Sequence, residues 1–196
     1  ECRGRVQRRM NPMQNLPVQE HVPSVDPQRR SFGEVHFGEA DLGDRRRTKR
    51  LIRVADSLVR HPGGSLPETL RNPGELDGLY HLLKSPAVTH EAILAPHRAL
   101  TLQKIAAQEG PVLILHDTTE LDYTTRESLA DAGPIGNGSR KGWLCHNSLA
   151  VSFPLREVLG LAGQILHRRT AVPPRETLKA KRERTSRESR LWLEGT

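Results

Sequence analysis

Val112-Leu113-Ile114-Leu115-His116-Asp117-Thr118-Thr119-Glu120-Leu121-Asp122 is the stretch whose reading decides the fold of this chain. A wholly apolar run ends near a carboxylate, and two hydroxyl residues follow at once. The four bulky aliphatic residues Val112 to Leu115 read as a strand covered on both faces, because a half-exposed strand alternates apolar with polar. An acid at the tip of such a strand is held rigidly at a sheet edge, where open α/β sheets place their ligands. That position suits a metal-binding carboxylate, since magnesium takes hard oxygen ligands and often only one or two of them from protein. On the residues alone, an Asp followed by two Thr is equally a cap on a strand-to-turn transition.

Upstream, Asp41-Leu-Gly-Asp-Arg-Arg-Arg-Thr-Lys-Arg50 opens an amphipathic helix crowded with positive charge. From Asp44 to Arg60, Leu51, Ile52, Ala55, Leu58 and Val59 fall on one helical stripe. Arg45, Arg46, Arg47, Lys49, Arg50 and Arg53 lie mainly away from it. Asp44 fits an N-cap, and His61-Pro62-Gly63-Gly64 stops the helix. Cations at a helix N-terminus oppose the macrodipole by roughly 0.3–1 kcal/mol each. Accepting that cost several times over points to a phosphate ligand; the competing reading is a solvated basic face. A second helix is expected over Glu75 to Lys84, burying Leu76, Leu79, Tyr80, Leu82 and Leu83. Thr89 caps a third, Glu91 to Gln108, which carries Ile93, Leu94, His97, Leu100, Leu102, Ile105 and Ala106, before Gly110-Pro111 breaks it.

Downstream, residues 133–142 form a glycine-rich loop. It is no phosphate loop of the Walker type, because Lys141 precedes Gly142 and no Gly-Lys-Ser/Thr order exists. Arg140 and Lys141 remain candidates for touching a phosphate backbone. Trp143 to Phe153 and Val158 to His167 read as strands joined by a turn at 154–157. From Arg168 the composition shifts to Lys, Arg and Glu, with Pro173-Pro174 as a hinge. Lys179 to Arg190 reads as a charged tail or helix, and Ser189 to Leu193 as the first turn of a packed helix. Residues 1 to about 31 mix Pro, Gln, Arg and Asn without period, the pattern of disorder, with Met10 or Met13 as candidate true starts.

Composition narrows the function. Lys and Arg total 30 against 23 acids, a net charge of +7 that favours a polyanionic partner, nucleic acid first. No apolar run reaches the eighteen or so residues of a membrane span, and no apolar segment follows the N-terminal arginines as in a secretory signal. Cys2 and Cys145 are too few and too far apart for a metal cage or a disulfide framework, so a cytoplasmic setting is the default. The nine histidines show no HExxH spacing, which argues against zinc. The chain begins with Glu1 and ends at Thr196 beside a helical-looking segment, so both ends are expected to be cut from something longer.

Several of these stretches together resemble bacterial cut-and-paste transposases of the group typified by the Tn-five enzyme. They are Phe37-Gly-Glu-Ala-Asp-Leu-Gly-Asp-Arg-Arg-Arg-Thr-Lys-Arg-Leu51, Leu79-Tyr80 with Ala92-Ile-Leu-Ala-Pro-His97, His116-Asp-Thr-Thr-Glu-Leu121, and Gly142-Trp-Leu-Cys-His-Asn-Ser-Leu149. The resemblance runs from about residue 32 to the end. It implies a disordered segment over 1–31 and a helical DNA-binding domain over 32–109. The first part of a ribonuclease-H-like mixed-sheet domain follows over 110–196, with a charged segment at 168–190. The fold class expected is therefore α+β. In such enzymes an Asp, an Asp and a Glu hold two divalent metals, Mg2+ or Mn2+, and the first Asp ends the first strand. The resemblance thus makes Asp117 a catalytic metal ligand. It implies transposon terminal inverted repeats as the duplex DNA bound, and a bacterial, nucleoid-associated location. Homodimers, or pairing with a full-length transposase, are the expected assemblies.

The resemblance also fails in one place. In such enzymes the second Asp lies on a later strand and the Glu on a helix farther still; the chain is expected to stop before either, and no Asp follows Asp131. Two-metal chemistry needs ions roughly 3.5–4 Å apart clamped by several carboxylates. The expectation is therefore a transposase N-terminal part that binds DNA and does not cut it alone; the alternative is a non-catalytic remnant or inhibitor. Glu120 and Asp122 are expected to be solvated turn acids, and His146 a core or surface histidine. An unpaired apolar edge on the Val112–Leu115 strand is expected, with poor solubility of residues 111–196 alone.

Overall fold

The computed structural model describes residues 30–136, 139–153, 155–170, 177–183 and 191–194. The N-terminal segment expected to be disordered lies outside them up to residue 29, as do the Pro173-Pro174 hinge and residues 184–190 of the charged segment.

Ser31 opens the first helix. Its hydroxyl accepts the Glu34 N–H at 3.2 Å while the Glu34 carboxylate accepts the Ser31 N–H at 3.0 Å, a reciprocal box that launches α1, Phe32–Phe37. Sequence reading missed this helix because six residues carry too little period to register. Helix α2 spans Arg45–Arg60, and the Asp44 carboxylate accepts the Arg46 N–H at 2.8 Å. A one-turn helix α3, Leu66–Thr69, also unanticipated, leads to α4, Pro73–Leu83, capped by Asn72 with Pro73 in its first turn. Helix α5 covers His90–Ala106, with the Thr89 hydroxyl accepting the Ala92 N–H at 3.1 Å.

The helices enclose a small core of Ala40, Leu42, Leu51, Val54, Leu70, Leu79 and Leu82. Phe37, Leu76, Val88, Ala92 and Ile93 pack around it. The expected stripe of α2 is thus right at Leu51 and Ala55 but extends through Val54 rather than to Leu58 and Val59, which are exposed. Tyr80 and Leu83 of α4 are likewise exposed, not buried. The last turn of α2 runs past the core, whereas Tyr80 and Leu83 each lie one residue round α4 from the buried Leu79 and Leu82 and so share its outer face.

The second half is an antiparallel sheet. Strand β1, Val112–Asp122, pairs with β3, Lys141–Ser152, in register from Val112↔Ser152 to Asp122↔Gly142. Strand β4, Val158–His167, lies on the other side of β3, with the two-residue β2, Gly133–Pro134, beyond its end. The architecture is α+β, with β3 central and β1 at the edge. Among the described residues nothing pairs with the outer side of β1. Leu113 and Leu115 of this strand are 45% and 50% exposed. The reading of a strand covered on both faces is therefore corrected for β1.

The strand is also longer than its apolar run. Asp117 does not sit at its tip: β1 continues through Thr118, Thr119 and Glu120 because each finds a partner on β3. Glu120 and Asp122 are accordingly strand residues rather than turn acids. Beyond the sheet, Leu178–Glu183 form α6 and Leu191–Glu194 form α7. No helix among the described residues is long and apolar enough to cross a membrane.

Candidate nucleic-acid interface and the Asp117 row

The first turns of α2 carry the densest positive charge. Between α2 and α4 lies a cleft of about 500 Å³, lined on the α2 side by Arg46, Arg47, Lys49, Arg50 and Arg53. The α4 side contributes Gly74, Asp77, Gly78, His81 and Leu82. Asp77 is the single acid among these residues, and it faces His81 at 3.4 Å on its own helix. The two glycines stand one helical turn apart, which gives the α4 wall no side chain at those points. The Arg50 guanidinium lies against Gly78 so closely that a Cβ there would collide with it. That glycine is what lets Arg50 lie along the wall.

The other cations of the sequence reading divide. Arg47 donates to the Leu42 carbonyl at 2.8 Å, so part of its fork is committed to the α2 entry loop. Arg46 is exposed and approaches Asp44 at 3.4 Å, a weak pair in water. The Arg46 N–H bond is the main reason that the Asp44 carboxyl titrates below the usual range, which keeps this cap anionic at the positive end of the helix. Arg45 leaves the cleft for a second groove beside Glu34, Glu39 and Asp41.

Arg140 is held by acids. Its guanidinium meets Glu120 at 3.0 Å and Asp122 at 3.6 Å, and Glu120 also accepts the Gly136 N–H at 2.8 Å. These contacts fasten the glycine-rich loop to the end of β1. The Thr124 hydroxyl and N–H both donate to Asp122 and hold its carboxyl below the usual range, with Arg140 adding to the effect. Lys141 opens β3 with an exposed side chain. Sequence spacing gave no sign of the Arg140 pairs, which join the loop before β3 to acids of β1 that lie far back along the chain, Glu120 being 20 residues away.

Asp117 stands exposed in mid-strand, and the Thr119 hydroxyl donates to it at 3.3 Å. Directly paired residues share a face of a sheet, so Asp117, Asn147 and Gln164 make one row across β1, β3 and β4. The Gln164 amide donates to Asn147 Oδ1 at 2.7 Å, and its own oxygen meets His90 Nε2 of α5 at 2.9 Å. On the opposite face, His116 meets Ser148 at 3.1 Å and Thr118 meets His146 at 2.7 Å. The two imidazoles stack 5.3 Å apart, and Trp192 of α7 lies 5.4 and 5.2 Å from them. His146 is fully buried, burial lowers its pKa, and its Nε2 has no partner among the described residues. It is a core histidine, as its sequence context suggested.

A pair of divalent ions does not fit this donor set. Asp117 offers one carboxylate beside the Thr119 hydroxyl and the Asn147 amide, and no group of three or more His, Cys, Asp or Glu side chains gathers among the described residues. The basic cleft has no such deficit, for a phosphodiester needs only converging cations. Residues 29–88, the segment that includes α1 to α4 and carries the cleft, match the family model described as transposase DNA-binding, and over that segment the chain is similar to the DNA-binding domains of transposases.

Proposed function

We propose that the chain binds duplex DNA through the cleft between α2 and α4, as the N-terminal part of a cut-and-paste transposase of the Tn-five group. The observation that carries this reading is the convergence of five α2 cations on one cleft inside the matched segment. Phosphates supply the affinity, and the base edges of a transposon terminal repeat supply the specificity. Helices α1 to α5 then form the DNA-binding domain over 32–109. The sheet over 110–196 is the start of a ribonuclease-H-like domain; Asp117 would supply one carboxylate toward the Mg2+ or Mn2+ of such an enzyme, and a metal pair would need more carboxylates than the described residues gather there. Arg45 and Lys141 act as outlying phosphate contacts, and Arg140 contributes through the loop that it fastens.

A non-catalytic role, as a remnant or an inhibitor pairing with a full-length transposase, is the second reading. What favours it is the lone carboxylate at Asp117, so magnesium should give no strand cleavage by this chain. Replacing Arg46, Arg47 and Arg50 together by Ala tests the main reading. DNA affinity should weaken alike on all duplexes and the log–log salt slope should shrink by about three, one per cation removed. An unchanged slope in a folded triple variant would refute the cleft as the binding site.

A further inference from the structure

The strands β3 and β4 fall out of step twice, between Ser148 and Leu149 and between Ala150 and Val151. Such irregularities leave backbone groups without ladder partners. Two neighbouring side chains of α5 take them up: His97 Nε2 accepts the Leu161 N–H at 3.1 Å, and Arg98 Nε donates to the Ala162 carbonyl at 2.8 Å. Gly160, at φ +145°, sits against Thr101, where a Cβ would collide. His97 also reaches the other way, its Nδ1 lying 2.9 Å from Nδ1 of His36 on α1.

These bonds fix every proton. The Leu161 N–H can only donate, so His97 Nε2 is bare and its ring proton sits on Nδ1. That proton is the one shared with His36, whose Nδ1 must therefore be bare as well. Protonating His36 at Nδ1 sets two N–H groups against each other, and protonating His97 at Nε2 sets its N–H against that of Leu161. Neither ring can switch tautomer to escape, because each alternative breaks the other bond. On its far side α1 is tied to α2, where the Gly33 N–H donates to Asp56 at 2.7 Å.

We propose that His36 and His97 form an acid-releasable clasp that holds α1, and the helices built on it, against the sheet. The clasp stands independently of what α2 binds. Its surroundings offer a proton no compensation. Phe32 and Phe37 pack on the rings, Lys104 of α5 bears on both, and Arg98 is committed to Ala162. The nearest part of β4, Val158 to Gln164, has no titratable side chain, and Asp56 is occupied at Gly33. Burial first, then His97 in the case of His36, and Lys104 for both keep the two imidazoles below the ordinary histidine value of 6.5. Depressed values mean that the clasp is intact above 6.5 and is lost as pH falls through the folded-state values.

The test uses the whole chain. Proton–nitrogen NMR of the rings should find His97 protonated on Nδ1 and His36 bare there at neutral pH. On acidification to about pH 5, the Leu161 amide should exchange more than about tenfold faster, beyond the intrinsic pH effect, while Asn147 of β3 and Val54 of α2 keep their protection. His97→Gln offers the same acceptor and donor without a titrating ring, so its Leu161 amide should lose the acid response. Three results would each overturn the clasp. One is a His97 proton on Nε2, another is a loss of protection shared by Asn147 and Val54, and the third is an unchanged acid response in H97Q.

Discussion

At the scale of single residues, the basic cleft depends on a glycine as much as on its arginines. Gly78 has no side chain where Arg50 lies. Gly78→Ala forces one of the two to move, and the mobile partner is the end of a long side chain. Alanine also favours a helix interior over glycine by about 1 kcal/mol. The variant should therefore melt no lower than the parent, yet bind DNA about three- to tenfold more weakly, the cost of one displaced phosphate contact. Thermal melting and a binding titration check both halves. The cations themselves were legible in the sequence because they cluster on the first turns of a helix with a clear cap. The glycine was not, since its role appears only when α4 is laid beside α2. The Arg140 pairs were hidden for the same reason: their partners meet through strand pairing, not through sequence spacing.

At the scale of elements, α2, α4, α5, β3 and β4 could be read from the chain with small errors at their ends. Each has a cap, a breaker or a long period of its own. What failed was local reading of β1, whose polar half, Asp117 to Asp122, is a strand only because β3 runs opposite it. Burial failed where α2 outruns the core, at Leu58 and Val59, and on the outer face of α4, at Tyr80 and Leu83. The helical core is small, so each of its members carries much of the stability. Leu42 is 1% exposed at the entry to α2, where Arg47 and Thr48 also tie the loop to the helix. Leu42→Ala should cost about 2–5 kcal/mol in urea unfolding of the helical part, from lost burial and the cavity left behind. A cost below about 1 kcal/mol would mean that this loop does not close the core.

At the scale of the whole molecule, a small helical module with a strongly basic cleft is joined through α1 and α5 to an antiparallel sheet. The α+β class was expected from the family resemblance, and the order of helical and then strand-like stretches agrees with it. The position of β1 at the sheet edge, with Leu113 and Leu115 exposed, followed from the tertiary pairing that only the structure contains. The central claim is that this molecule binds DNA by neutralising phosphates in one cleft. The most direct measurement is the affinity of the whole chain for duplex DNA across a range of salt. Five cations in the cleft predict a log–log slope near −4.5, about −0.9 for each phosphate neutralised. A flat response to salt would contradict the account.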